Sequence, residues 1–495
     1  MARTAGTTTV QGAWRGLLPP ILCVGGWLQA ASIGQTAEEV AVRDIGSRLE
    51  LFVDTWLAES LKGARLQLHH PVPREVVLRF DEPWEGLFCG YVTVIKDGNL
   101  YRMYYRGRPN GGADGSPDEV ACYAESRDGV KWTKPRLGLF EVRGTRENNV
   151  VLANAAPATH NFCPFLDARP GVPPAERFKA VGGTGKAGLT AFASPDGIHW
   201  RKLREEPIIT QGAFDSQNVA FWSESEGCYV CYFRIFAKGV RSIARATSKD
   251  FLNWAEPTPM SFGETPMEHL YTNQTHPYFR APHIYIATPA RFFPGRRVLT
   301  PEQAKAIGVE PRYANDCSDN VLMASRGGAA YSRTFMEAFI RPGIGPENWA
   351  SRCNYPALGI VPTGPAEMSL YVQRNYAQPT GCLQRFTLRT DGFASVSAPY
   401  AGGEMVTRPL KFTGKELLLN YSTSAAGSVQ VEIQDAEGKP LADLSLADAV
   451  PIIGDEIERA AAWKKPGTGV GSLAGRPIRL RFLLKDADLY AIRFR

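Results

Sequence analysis

Ser126–Trp132 reads S-R-D-G-V-K-W, and the pattern returns as S-P-D-G-I-H-W at Ser194–Trp200 and as S-K-D-F-L-N-W at Ser248–Trp254. A degenerate copy, S-R-G-G-A-A-Y, spans Ser325–Tyr331, and a shorter one, R-T-D-G-F, spans Arg389–Phe393. The aspartates or their equivalents stand at 128, 196, 250, 327 and 391, at intervals of 68, 54, 77 and 64 residues. Recurrence of one motif at similar intervals marks a chain built from like units. Each unit also carries strand signals ahead of its motif. Gly90–Tyr105 alternates apolar and polar residues around a Lys-Asp-Gly turn, as a hairpin does, and Val219–Phe233 repeats the plan. Four strands per unit, with the Ser-x-Asp turn between outer strands and its Trp packing back on the blade, predict a β-propeller of five blades. The motif's Asp and Trp residues are then turn and packing residues, not catalysts.

Working outward, the composition agrees with an all-β chain. The 495 residues include 48 glycines and 36 prolines, about 17% against a background of roughly 12%. With 18 Tyr, 24 Phe and 10 Trp, that excess suits many short strands joined by turns. Helix signals are sparse; Thr300–Gln303, with Pro301 at the first helical position, is the exception. After about residue 400 the texture changes to strictly alternating runs, Val429–Gln434, Ile478–Phe482 and Leu489–Arg495. These are half-buried antiparallel strands. The expected organisation is therefore a propeller over 50–400 and a β-sandwich over 401–495.

The formal charge is +6 with no basic run interleaved with aromatics, so nucleic-acid binding has no support. Arg3 and Arg15 precede an apolar stretch, Gly16 to Ile33, followed by small residues and then Glu38 and Glu39. That is the layout of a signal peptide over residues 1–37, and it predicts a secreted or periplasmic protein. Pro19, Pro20, Gly25 and Gly26 break the stretch, which argues against stable membrane insertion. Eight cysteines remain, from Cys89 to Cys382. Buried single thiols are the expected state, with one or two disulfides compatible with an oxidising compartment. Cys228 and Cys231 point to opposite sides of a strand and do not form a metal grip. No metal-ligand spacing and no cofactor motif is present.

Five blades with S-x-D-[GF]-x-x-W turns and a C-terminal sandwich resemble the five-bladed propeller glycosidases, the invertase, levansucrase and arabinanase superfamily (glycoside hydrolase families 32, 43, 62 and 68). The resemblance covers roughly residues 50 to 495. It implies three acidic groups entering a central funnel from the innermost strands, because glycosidic cleavage needs one carboxyl to protonate the leaving oxygen and another as base or nucleophile. Acids at the starts of the expected inner strands are Glu85 in E-P-W-E-G, Asp215 in F-D-S-Q-N and Glu268 in M-E-H-L-Y. Asp54, Asp167 and Glu367 compete for these roles. The chain has no N-D-P-N-G or R-D-P motif of the invertases.

A carbohydrate partner needs stacking and hydrogen-bonding groups beside the acids. Trp84 and Tyr271 offer sugar faces a platform, while Arg106, Arg280, His283 and Arg352 offer donors to hydroxyls, a carboxylate or a sulfate. The expected function is that of an exported glycoside hydrolase. A glycoside phosphorylase of the same fold, with one acid and an Arg/His cluster for phosphate, is the first alternative. A non-catalytic carbohydrate-binding propeller is the second.

Overall fold

The computed structural model describes residues 41–495; the expected signal peptide lies outside them. Five sheets are arranged as propeller blades. In the first, Gly90–Asp97, Leu100–Gly107 and Val120–Ser126 run from the inside outward, edged by Trp132–Thr133 and Val150–Leu152. The second comprises Cys163–Leu166, Phe178–Thr184, Gly188–Ser194 and Arg201–Lys202, and the third Val219–Ser223, Cys228–Ala237, Val240–Ser248 and Thr258–Pro259. His276–Tyr278, Ala281–Ala287 and Met323–Ser325 form the fourth. A hairpin, Ala290–Phe293 with Cys317–Asn320, extends it and carries the helix Pro301–Ala306 in its loop. The fifth blade builds on Tyr355–Pro356 and Val361–Pro362, then Glu367–Arg374 and Cys382–Arg389. Its outermost strand is Val72–Arg79, from the other end of the chain, so the ring is closed by strand pairing.

The Ser-x-Asp turns behave as their sequence dictates. Ser126 Oγ accepts the Gly129 N–H at 2.9 Å, and Asp128 Oδ1 accepts those of Val130 and Lys131 at 2.8 Å each. The Trp132 indole N–H then closes on the Gly129 carbonyl at 3.1 Å. The same bonds recur at 194–200 and 248–254. Gly129 and Gly197 sit at φ 75° and 78°, where glycine carries no steric penalty. Phe251 holds the same position at φ 71°, its strain offset by a fully buried ring packed on Phe165, Tyr229 and Trp254. The Trp residues reach further than expected. Trp132 packs edge-on against Tyr371 of the fifth blade, and the Tyr371 hydroxyl donates to Gly129 O at 2.6 Å. Trp200 likewise meets Tyr104 of the first blade, whose hydroxyl donates to Gly197 O. These two turns tie neighbouring blades together.

The expected start of the propeller at residue 50 is displaced. Arg43–Gly46, Glu50–Leu51, Ala58–Lys62 and Arg65–Leu68 all pair with strands after residue 393, in one ten-stranded sheet. Their apolar residues explain this: Ile45, Phe52 and Leu57 join Leu419, Val431, Phe482 and Phe494 in one core, while Leu49, Leu51 and Val53 bind that sheet to the fourth and fifth blades. The long strands Leu417–Asp435 and Ile478–Phe494 run through the unit, with register breaks between Asn420 and Tyr421 and between Thr423 and Ser428. All eight described cysteines are buried and unpaired.

Candidate functional site

The five inner strands converge on the propeller axis, which a polar network closes. Gln217 Nε2 donates to Thr93 Oγ1 at 2.8 Å, and Gln274 Nε2 donates to Gln217 Oε1 at 2.8 Å and to Pro356 O at 2.6 Å. Beyond it, at the ends where the inner strands finish, lies a cavity of about 520 Å³ lined mostly by apolar side chains including Val94, Phe165, Phe221 and Ile360. No carboxylate lines it. The chemistry sits at the opposite end, where the inner strands begin.

There every blade contributes. The first supplies Tyr91 and Arg106, the second His160 and Asn161, the third Asp215, Arg234 and Arg241, the fourth Tyr271, and the fifth Arg352, Tyr355 and Tyr376. Tyr271 and Tyr355 rings lie 5.3 Å apart, and Tyr91 and Tyr355 rings 6.4 Å. The guanidinium of Arg106 lies 4.7 Å from the Tyr91 ring; it donates to Asn161 Oδ1 at 2.9 Å, Phe88 O at 3.0 Å and the Tyr376 hydroxyl at 3.3 Å. Arg352 donates to the Tyr313 hydroxyl at 3.2 Å and lies over the Tyr271 ring. Burial pushes the phenols of Tyr91 and Tyr355 well above their ordinary range, so both remain neutral hydroxyls. Asp215 is ion-paired with Arg234, and its side chain is 38% exposed.

Behind Arg106 runs a relay with one direction. Glu119 accepts the Nδ1 hydrogen of His160 at 2.7 Å, the Nε2 of His160 lies 3.1 Å from the Asn161 amide nitrogen, and the Asn161 oxygen accepts from Arg106. With Nε2 accepting from the amide, both ring nitrogens of His160 are bonded and the Asn161 orientation is fixed. Burial alone would raise the Glu119 pKa, but the hydrogen bond from His160 and the charges of Arg106 and Arg108 outweigh it and hold the carboxyl below the ordinary value. Asp114, Glu119 and His160 bring possible ligand atoms within 4.8 Å of one another. Arg108 already contacts both carboxylates, at 2.8 and 3.2 Å. A guanidinium thus supplies the positive charge a cation would bring.

The acids expected from the sequence do not gather at one place. Glu85 is fully buried away from the axis, spanned by Lys134 at 2.8 Å, the Tyr105 hydroxyl at 2.7 Å and the Glu82 N–H at 3.0 Å. It anchors the first blade's outer strands. Glu268 is held by Arg291 at 2.9 Å and Arg333 at 2.7 Å, while His269 accepts the Arg241 N–H and Tyr271 joins the tyrosine cluster. Along an extended segment successive side chains face opposite sides, so Glu268, three positions before Tyr271, turns away from the tyrosines. Only Asp215 of the three lies in the cluster.

Among the expected binding residues, Arg106, Tyr271 and Arg352 meet there and three do not. Trp84 is buried, its indole donating to Asn149 at 2.7 Å. Arg280 pairs with Asp391 and Glu458, and His283 with Glu50, in the seam between the propeller and the ten-stranded sheet. Asp54 is taken by Arg326, Asp167 by Lys179 and Tyr229, and Glu367 by Arg385. The residues missed are Glu119, His160, Asn161, Arg234, Arg241, Tyr355 and Tyr376. Asn161 and Tyr355 were reachable by the same inner-strand rule, had it not been restricted to acids.

Neither a family model nor a curated protein matches the chain. Solved structures similar to it include an N-acetylgalactosamine deacetylase from F. plautii, 13% identical with a TM-score of 0.44 over 66% of this chain and 96% of that one. A fructofuranosidase from Schwanniomyces occidentalis is 11% identical, TM-score 0.37, over 84% and 96%. The catalytic domain of a family 62 α-L-arabinofuranosidase from Coprinopsis cinerea is 10% identical, TM-score 0.40, over 66% and 98%.

Proposed function

We propose that the protein is an exported enzyme that cleaves a glycosidic bond at the mouth formed by the inner-strand starts, with Asp215 as the carboxylate facing the reacting sugar. The observation that carries this reading is a half-buried carboxylate, Asp215, paired with Arg234 at a mouth where all five blades supply guanidiniums, tyrosines or amides. Sugars are recognised by such a mixture: flat apolar faces for the ring and fixed donors for the hydroxyls. Phe236, 55% exposed beside Arg234 and Arg241, adds a surface aromatic at the rim. Export follows from the residue pattern of Arg3 to Glu39. Among the described residues no helix is long and apolar enough to cross a membrane.

A panel of oligosaccharides and polysaccharides with product analysis tests the reading. Asp215→Asn keeps the size of the side chain, and turnover on the active substrate should fall by about 10²–10⁴-fold. Glu268→Gln and Glu85→Gln should change stability more than the chemical step. Turnover that survives Asp215→Asn, or that vanishes in Glu268→Gln protein of parental stability, refutes the assignment. Binding without product on every glycan would favour the carbohydrate-binding alternative.

A further inference from the structure

The cluster holds more positive charge than its own acids balance. The guanidinium carbons of Arg234, Arg241 and Arg352 lie 4.9, 5.0 and 5.3 Å from the centre of the Tyr271 ring. A ring has two faces, so three like charges share little space and repel one another. Among the described residues, the one carboxylate paired with any of them is Asp215, on Arg234. Arg352 has a phenol partner and no ion pair. Arg241 has neither an ion pair nor a partner for its buried Nε. Arg106, across Tyr91, is bonded to an amide, a carbonyl and a phenol, all neutral.

Buried donors without acceptors point to what is recognised here. Arg234 is 3% exposed, and while its Nη2 is bonded to Asp215, its Nε and Nη1 have no partner. The Tyr355 hydroxyl, in a residue 4% exposed, has none either. Such groups are uncommon in folded proteins, and an ion that brings acceptors is one way to complete them. The backbone adds an independent sign. Tyr91, Asn161, Arg352 and Asn354 hold φ of 53°, 50°, 58° and 68°, and left-handed non-glycine residues gathered at one mouth are a mark of functional constraint.

We infer that Arg234, Arg241 and Arg352, around Tyr271 and with the Tyr355 hydroxyl, form a site for an oxyanion: a carboxylate, sulfate or phosphate group. Guanidiniums present paired N–H donors that match the oxygens of such groups, which an uncharged hydroxyl does not. Resting on the carbohydrate reading of this mouth, the inference narrows the substrate to one of two sources of the same chemistry. The oxyanion is either a substituent of an acidic sugar or free phosphate acting as the second reactant beside Asp215. In the second case an oxygen of hydrogen phosphate forms the new bond to the anomeric carbon as the glycosidic C–O bond breaks, and the departing oxygen takes up the proton that the phosphate gives up.

Oxyanion binding is measured on the full chain without any turnover assay, by calorimetry and thermal shift with sodium phosphate, sodium sulfate and glucuronate. Sodium chloride at equal ionic strength and glucose are the controls. Saturable binding of at least one oxyanion at millimolar concentration is expected. Arg241→Gln and Arg352→Gln, at two half-buried positions, should each weaken it by about tenfold or more, and Arg241→Lys should recover only part. Bond cleavage that requires added phosphate identifies the free ion. Glucuronate bound at least about tenfold more tightly than glucose, with phosphate only competing, identifies the substituent. Absence of saturable oxyanion binding to the parent overturns the site, as does equal binding by parent and both variants. If neutral glycans are still cleaved in that event, the glycosidic reading stands without it. Oxyanion binding by a protein that releases no product from any glycan leaves the site and removes the enzyme.

Discussion

His276 is the most direct point at which pH should reach the propeller axis. It opens the inner strand of the fourth blade, its Nδ1 hydrogen bonded to the Gln274 carbonyl at 3.1 Å and its Nε2 accepting the Ile360 N–H of the fifth blade at 3.2 Å. Protonation therefore costs the second bond, and burial, acting with little opposition from the Gln274 carbonyl, pushes the imidazole down to about 4. An unfolded chain takes up this proton near pH 6.5. The folded state thus binds fewer protons between those values. Stability is full above about 6.5 and is lost as pH falls, levelling off near 4. The span of about 2.5 units at about 1.4 kcal/mol each gives roughly 3 kcal/mol; because the ring is half-buried, about 2 kcal/mol is the expected size. His276→Gln keeps an acceptor for Ile360 and removes the titration. Urea unfolding from pH 7.5 to 4.5 should show a steeper loss for the parent than for the variant, the difference growing to about 2 kcal/mol. Urea is preferred to heating, since in a chain of this length such a change moves the melting temperature by only about 2 °C. Carboxylates titrate in both proteins, so the difference isolates the histidine. Parallel curves for parent and variant would refute the reasoning.

Two further outcomes follow from the fold. Gly359 has φ 103°, and a Cβ there would stand 2.1 Å from the Val94 carbonyl oxygen, where Leu358 bonds to Val92 and Val94 across the first and fifth blades. Gly359→Ala should cost at least about 2 kcal/mol in chemical denaturation, and an unchanged midpoint would show that the two strands are not held as described. Asp128 caps its turn through two backbone N–H groups at 2.8 Å. Asp128→Ala should lose about 1 kcal/mol and Asp128→Asn, which keeps the acceptor, only part of that, so equal losses in the two would contradict the capping role.

What could be read from the chain divides by the range of the interactions. The blade turns were legible because Ser126, Asp128 and Trp132 each bond to a backbone group three positions away, so the motif contains its own cause. Val72–Arg79 and Arg43–Leu68 were not legible as partners of residues 382–389 and 394–494, because an alternating strand states which face is buried and not what covers it. The fourth motif shows the same limit from the other side. Without its aspartate, Ser325 Oγ turns to the Ala330 carbonyl at 2.7 Å, and the adjacent Arg326 binds Glu50 and Asp54 across the seam.

Residue type misled at the site for a physical reason. Acids were sought because cleavage needs them, yet a carboxylate's role is set by what it faces. Glu85 and Glu268 precede the inner strands of the first and fourth blades and are each held by cationic side chains, a condition set by packing that spacing does not reveal. Arginine carries the converse error, since a lone Arg in sequence reads as solvated surface. Arg234 and Arg241 flank a tight hairpin of the third blade, and the Leu270 N–H, bonded to the Arg241 carbonyl at 3.0 Å, sets Tyr271 against it. Closure by Val72–Arg79 therefore does more than stabilise the fold. It brings Tyr355 and Tyr376 of the last blade against Tyr91 and Arg106 of the first. The closed ring thus adds Arg352 to the charge that Arg234 and Arg241 already place around Tyr271.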